Sequence, residues 1–330
     1  MRPGAEISVR AASGRFAALL ALGLVAGCAG EAVAPSGPPP PPPPSVAIAP
    51  APPVPPAGQG LRSQESLALQ ARYRRLQDDL IGRGLMRADG GTADAPFTDT
   101  MLARNFVRIA LFDEYRSDGS RSASGPVMSQ LRRWEQPIRM EVRFGATVPA
   151  GQQVRDRATI RSFAARLERL SGIPITQVGA DGNYVVLVVN EDDRRAMAPE
   201  LRRIVPGISE GLVRTIIEMP PTLLCLVVAF SEGGSPVYSR AVAVIRGEHP
   251  DLLRTACVHE ELAQGMGLAN DHPLARPSIF NDDEEFALLT EHDELLMRIL
   301  YDPRLRPGMT ATEAAPVAAV IAAELMAGGS

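Results

Sequence analysis

The sequence contains no lysine, so all 34 of its basic residues are arginines. Without lysine, Schiff-base chemistry, Ser-Lys dyads and the lysine of a phosphate-binding P-loop are excluded. Histidine is also scarce, with four residues in a chain of 330, and the formal net charge is −4. Because no basic stripe dominates this acidic balance, nucleic acid is not expected as a partner.

The first 27 residues have the features of a targeting segment. Three arginines precede a short apolar run, Phe16 to Ala26, which is too short to span a bilayer as a stable anchor. The run leads into "LVAGC", which resembles the lipobox of bacterial lipoproteins. This resemblance implies that Cys28 becomes the lipidated N-terminus and anchors the chain to a membrane. Ala29 in place of aspartate favours the outer over the inner membrane, and an ordinary signal peptide is the alternative.

A proline-rich linker follows over residues 28–60, and residues 35–56 hold 13 of the 30 prolines. Proline fixes φ and removes a hydrogen-bond donor, so this segment is expected to be an extended spacer on the order of 80 Å long. The remainder suits one domain over 61–310, followed by a C-terminal helix or tail over 311–330. After the targeting segment, no stretch is expected to be long and apolar enough to cross a membrane.

Only three cysteines occur in the chain. If Cys28 carries lipid, Cys225 and Cys257 remain as an even pair in an oxidising compartment, which favours a disulfide between them. Two separately buried thiols are the alternative.

The hydrophobic pattern predicts an α+β fold with a mixed sheet. "IRMEVRFG" (138–145) alternates apolar and charged residues, as a half-buried strand does. "NYVVLVVN" (183–190) and "TLLCLVVAF" (222–230) are continuous apolar runs, which are typical of central strands. Amphipathic helices are predicted before and between these strands, the first over 61–84.

A further helix is predicted between Pro250 and Gly267, a favourable start and stop for a helix. Positions spaced i, i+4, i+7 and i+11 along it share one stripe, namely Leu253, Cys257, Glu260 and Gln264. Because the first two are apolar, Glu260 and Gln264 are also expected to face the interior.

The segment "EELAQGMGLAND" (260–271) resembles the signature of metzincin zinc peptidases with every histidine replaced. Its side chains align with the metzincin zinc ligands (Glu260, Gln264, Asn270), the general base (Glu261), the glycine bend (Gly267) and the residue after the third ligand (Asp271). Downstream, Phe280 in "PSIFND" aligns with the Met-turn, and Tyr301 ends a helix that resembles the one that follows it. By this resemblance Glu261 is expected to point into a cleft.

Together with "TDTMLARNFVRIALFDEY" near residue 100 and "LYDPRLRPGM", these motifs resemble a family of uncharacterised bacterial lipoproteins, defined as a domain of unknown function. The resemblance covers roughly Phe97 to Met309. It implies a zincin-like fold, with a mixed sheet and an active-site-type helix, in a periplasm-facing protein of the cell envelope.

One carboxylate and two amides are poor zinc ligands, so neither a metal nor another cofactor is expected. Glu260, Gln264 and Asn270 are instead expected to converge in a hydrogen-bonded pocket. The resemblance then implies a non-catalytic binding or scaffold module with a peptide or envelope-protein partner.

Two alternatives remain open. One is a metallopeptidase-like hydrolase, in which Glu261 is the general base and zinc is held by unusual ligands. The other is a metal site formed by His259, His272 and His292, although histidines with acidic neighbours are expected at the surface.

The lipobox resemblance gives a direct prediction for the mature N-terminus. We expect mass spectrometry of the protein from its native membrane to find a diacylglyceryl adduct on Cys28, with residues 1–27 absent. A mature chain that begins at another residue and carries no lipid would contradict the prediction.

Overall fold

The structure, a computed structural model, describes residues 7–13, 61–91, 94–113, 127–281 and 283–328. The helices in these ranges are α1 (Gln64–Gly82), α2 (Asp99–Ala110), α3 (Ala150–Ser171), α4 (Glu191–Arg195), α5 (Ala198–Ile204), α6 (Glu210–Ile217), α7 (Asp251–Gln264), α8 (Glu291–Leu300) and α9 (Ala311–Gly328). The strands are β1 (Ile7–Ser13), β2 (Phe112–Asp113), β3 (Val127–Met128), β4 (Ile138–Phe144), β5 (Ile175–Val178), β6 (Tyr184–Val189), β7 (Leu223–Ser231) and β8 (Tyr238–Arg246).

The main sheet is mixed, as the sequence predicts, and its strand order is β1-β7-β8-β6-β4-β5. Strands β5, β4, β6 and β8 run parallel to one another, so their carboxyl ends meet at one edge. Strand β7 is antiparallel to β8 on one side and to β1 on the other. The short strands β2 and β3 form a separate antiparallel pair.

Helices cover both faces of this sheet. In β6, Tyr184, Val186 and Val188 face the core that contains α2, α3, α7 and α8. The alternate residues Val185 and Leu187 face a second core, formed with α5 and α6. Because β6 is buried on both faces, its sequence is a continuous apolar run and not an alternating one.

The structure also contains elements that the sequence pattern did not predict. Strand β5 has only four residues, and α6 was missed although Ser209 caps it by accepting a hydrogen bond from the Leu212 N–H. Residues 7–13, assigned to the targeting segment, form β1. The apolar run that follows, Cys28 and the proline-rich linker lie outside the described residues.

The C-terminal helix α9 corrects the expectation that nothing after the targeting segment is long and apolar enough to cross a membrane. Its 18 residues have a mean hydropathy of 1.3, because the helix is rich in alanine. The helix nevertheless contributes to the main core, where Ala314, Ala318 and Ile321 are buried. Only 22% of this helix is buried, so one face of it packs within the domain.

The end of α7 lies inside the protein, where its last carbonyl groups need hydrogen-bond donors. Three aromatic side chains supply them. The Tyr184 hydroxyl donates to the Leu262 carbonyl oxygen at 3.3 Å and to that of Glu261 at 2.9 Å, which also accepts from the Gly265 N–H. The Trp134 Nε1 donates to the Gly265 carbonyl oxygen at 2.8 Å. The Tyr301 hydroxyl donates to the Met266 carbonyl oxygen, also at 2.9 Å.

Two glycines make this arrangement possible. A Cβ atom at Gly265 would lie 2.0 Å from the Tyr184 hydroxyl, so only glycine lets the tyrosine approach. Gly267 has φ +126°, and a Cβ there would lie 2.3 Å from the Arg132 carbonyl oxygen. The helix therefore ends at Gln264, before the predicted stop at Gly267, because Gly267 forms the turn beyond the helix.

We expect Gly267→Ala to lower the free energy of unfolding by about 2–4 kcal/mol, since strained φ and a backbone clash add. Two controls separate these causes. Gly172 also has positive φ but nothing within 4 Å, so Gly172→Ala should cost about 1 kcal/mol. Gly82→Ala should be neutral or slightly stabilising. Urea unfolding measures all three, and equal losses at Gly267 and Gly172 would contradict the clash.

Candidate functional site

The predicted disulfide is confirmed: Cys225 in β7 is bonded to Cys257 in α7, with 5.9 Å between their Cα atoms. Both side chains are buried. The bridge joins the middle of the motif helix to the sheet across 32 residues of sequence. A loop of this size corresponds to a stabilisation of about 3–4 kcal/mol.

Two carboxylates lie beside this disulfide. The Cys225 Sγ and one carboxylate oxygen from each of Glu260 and Glu261 all lie within 4.8 Å of one another. In the part of the chain that the structure describes, no other three histidine, cysteine or acidic side chains meet this criterion. The cluster brings together the soft sulfur of Cys225 from β7 and the hard oxygens of two glutamates from α7.

The burial of the two glutamates is the reverse of what the helical stripe predicts. Glu261, expected in a cleft, is fully buried, whereas Glu260, expected inside, is partly exposed. The physical reason is that α7 is buried almost all round, so apolar residues occur on several of its faces. A single stripe therefore does not define the inward direction.

The remaining motif side chains stabilise the fold locally. The Gln264 Nε2 donates to the Glu260 Oε1 at 3.3 Å. The Asn270 Nδ2 donates to the carbonyl oxygen of Arg108 at 2.8 Å, and the Asn270 backbone N–H donates to that of Ile109. Asn270 thus binds the end of α2, and its convergence with Glu260 and Gln264 stays a prediction.

Zinc does not fit the three positions that align with metzincin ligands. An amide binds a metal through its oxygen, and the two amides offer only weak ligands of this kind. Moreover, the Asn270 amide group is held by the backbone of α2, and that of Gln264 donates to Glu260. No metal chemistry is therefore derived from these three residues.

The other motif residues lie in separate surroundings after the motif helix. Phe280 is fully buried, and its carbonyl oxygen accepts a hydrogen bond from the His272 N–H at 2.8 Å. The Ser278 hydroxyl, just before Phe280, donates to the Asp293 Oδ1 at 2.6 Å. Tyr301 binds the end of α7, whereas Asp271 is partly exposed on the loop that leaves it.

His259 and His292 are buried, which corrects the expectation that they lie at the surface, whereas His272 is partly exposed. The ring of His259 stacks on Phe163, and its Nδ1 accepts a hydrogen bond from the Leu289 N–H at 3.0 Å. His292 instead lies 3.1 Å from the Asn105 amide, measured from its Nε2. Because each ring has its own partners, the structure does not support the alternative metal site that includes both.

A further histidine, His249, lies against the disulfide. Its Nδ1 is 3.7 Å from the Cys257 Sγ, and its ring contacts that of Tyr73 edge-on. The side chain is buried, and burial holds its pKa well below the usual value, an effect increased by the charges of Arg246 and Arg254. His249 is therefore neutral at physiological pH.

A buried ionic cluster at the carboxyl edge of the parallel strands was missed by the sequence reasoning. Glu191, after β6, binds both Arg194 and Arg246, at 2.6 and 2.8 Å. Glu248, after β8, accepts a hydrogen bond from the Ser66 hydroxyl of α1 at 2.6 Å. Charged residues immediately after apolar strands were the available signal, since parallel sheets place sites at this edge.

This cluster borders a cavity of about 440 Å³. Its walls include two arginines and three glutamates, namely Arg194, Arg195, Glu65, Glu191 and Glu218. Because Glu191 pairs with both arginines and Glu65 pairs with Arg195, much of this charge is internally compensated. The cluster mainly connects α1 and α4 to the sheet.

The fold and site define a mixed α/β domain whose motif helix is fixed by a disulfide and aromatic donors. The chain belongs to the family described as protein of unknown function (DUF2927), whose model matches residues 99–319. Neither the curated proteins nor the solved structures contain a match to the chain.

The buried histidines predict a pH dependence of stability. Burial lowers the pKa of His259 to about 3, below its value of about 6.5 in an unfolded chain. The unfolded state therefore takes up the proton first, and stability that is present above about pH 6.5 is lost as the pH falls. The loss approaches about 1.4 kcal/mol per pH unit for each such histidine.

We expect His259→Asn to reduce the slope of the unfolding free energy against pH between about pH 6.5 and 5.5. The number of protons taken up on unfolding should fall by up to one. Asparagine can keep an acceptor for the Leu289 N–H but does not titrate. Urea unfolding with the disulfide intact measures the slope. The partly exposed His272, changed to Asn, should alter it less. An unchanged slope in His259→Asn would contradict the assignment.

Proposed function

We propose that this chain is a lipid-anchored protein of the cell envelope whose domain binds an extended peptide segment as an added strand beside β7. The supporting observation is that β7 pairs antiparallel with residues 7–13, from Ile7 opposite Phe230 to Ser13 opposite Leu223. The sequence predicts that these residues are removed with the targeting segment. Their removal would leave the backbone groups along this side of β7 available to another chain.

The composition of β7 supports this proposal. The strand, LLCLVVAFS, has nine residues with neither charge nor proline. Natural edge strands that must avoid pairing are short or carry lysine, proline or inward charges. Strand β7 has none of these protective features, as is expected of a strand that pairs on both sides. Backbone hydrogen bonds would supply affinity, and alternate side chains specificity.

The partner is proposed to be an extended, largely uncharged segment of another envelope protein. The segment that pairs in the structure, ISVRAAS, is mostly small and apolar with one arginine. A partner strand with adjacent acidic residues would place charges against an apolar strand, at a cost in desolvation. The membrane anchor at Cys28 and the proline-rich linker would place this edge within the envelope, with the outer membrane favoured.

We further propose that the domain is zincin-like and has lost catalysis. The mixed sheet with the motif helix directly after its last strand supports the zincin-like fold. A general base must reach the proton it removes directly or through water, yet Glu261 is fully buried. The alternative, a metallopeptidase-like hydrolase with Glu261 as base, would be supported by chelator-sensitive peptidase activity that Glu261→Gln abolishes.

We expect the chain from residue 28 onward, with Cys28→Ser, to bind a labelled peptide of residues 5–15 saturably in fluorescence anisotropy. The same peptide with Val9→Pro should bind at least about tenfold more weakly, because proline removes a donor and does not fit the ladder. The full chain, which retains residues 7–13, should bind less labelled peptide. Equal binding of both peptides, or none, would contradict strand addition.

A further inference from the structure

The disulfide lies within a group of side chains that includes the usual zinc ligands. The Cys225 Sγ has carboxylate oxygens of Glu260 and Glu261 within 4.8 Å. The Cys257 Sγ, on the other side of the bond, lies 3.7 Å from the His249 Nδ1. The Nε2 of this buried histidine has no hydrogen-bond partner among the described residues. Thiolate, carboxylate and imidazole are the groups that bind zinc in proteins.

The oxidation state of the two cysteines controls what this group can bind. In a disulfide, neither sulfur carries the negative charge that makes thiolate a metal ligand. Reduction breaks the S–S bond, adds two electrons and two protons, and gives two thiols. A dithiol reductant supplies the electrons and becomes a disulfide itself. A divalent cation can then displace both thiol protons and bind two thiolates.

We propose that reduction of the Cys225–Cys257 disulfide by a dithiol converts this group into a binding site for a thiophilic divalent cation of the zinc type. The ligands would be both thiolates and the carboxylates of Glu260 and Glu261. His249, which lies beside Cys257, would bind the metal as a further ligand. This set differs from the motif positions that align with metzincin ligands, because it uses both cysteines and neither amide.

The geometry requires only small movements. Tetrahedral zinc with its usual bond lengths separates its ligand atoms by about 3.5 Å. The three atoms that lie within 4.8 Å of one another would therefore move by about 1 Å. Both glutamates and Cys257 lie on the same helix, so one rigid element carries three of the four proposed ligands. The fourth, Cys225, lies on β7, which β8 holds in register.

The test uses Co²⁺ as a spectroscopic substitute for zinc, with the chain from residue 28 onward carrying Cys28→Ser. A phosphine reductant reduces the protein, because it competes for metal less than a dithiol does. The reduced protein should bind one equivalent of Co²⁺ with tetrahedral absorption bands and sulfur-to-metal charge transfer, and Zn²⁺ should displace it. The oxidised protein should show neither. Equal binding by the two forms would overturn the proposal.

Variants distinguish this site from adventitious binding to free thiols. Glu260→Gln and Glu261→Gln should each weaken Co²⁺ binding by at least about tenfold, since loss of even an outer partner costs that much. The exposed Glu168→Gln provides the matched control and should bind as the parent does. Cobalt affinity that is unchanged in both glutamate variants would overturn the proposal.

A separate measurement covers the case in which the reduced chain is unstable. Zn²⁺ should raise the thermal midpoint of the reduced protein, monitored by circular dichroism, and leave that of the oxidised protein unchanged. Zinc that binds without restoring or stabilising the native spectrum would show ligation by an unfolded chain and would overturn the proposal. Peptide binding at the β7 edge is assayed on the oxidised protein, so the two proposals fail independently.

Discussion

The end of helix α7 inside the protein is the constraint on which the rest of the structure depends. A helix that ends in the core leaves carbonyl groups without intrahelical donors, and each unsatisfied group costs about 1–3 kcal/mol. Tyr184, Trp134 and Tyr301 meet this need from three separate parts of the chain. The central strand, the segment before β4 and the end of α8 therefore all meet at the end of α7.

The same constraint accounts for the path of the chain directly after α7. Gly267 turns the chain after the helix, and the returning loop brings Asn270 to the last carbonyl groups of α2. The spacing of Gly267 and Asn270 after the helix therefore specifies a backbone path that packing requires. A family resemblance based on spacing and glycine predicts such a path better than it predicts chemistry.

The elements that the sequence predicts correctly are those with a strong local cause. Continuous apolar runs predict β6 and β7 because strands buried on both faces need them. The disulfide was predicted by counting, because Cys225 and Cys257 remain as one even pair once Cys28 is set aside. The predicted burial of Glu260 and Glu261 was wrong because a helix that is buried almost all round has no unique inward stripe. The burial of His259 was missed because Phe163, which covers it, is 96 positions away in sequence.

Strand β7 connects the two proposed sites while keeping their chemistry separate. Its backbone edge would bind a peptide, whereas the side chain of Cys225 points to α7 and belongs to the sulfur cluster. Pairing with β8 and the bond to α7 fix this strand, so little conformational entropy remains to be lost when a partner strand is added. Reduction would release one of these restraints but would leave the β8 ladder intact. Peptide binding at the β7 edge is therefore expected to depend on the sheet, and metal binding is expected to depend on the position of α7.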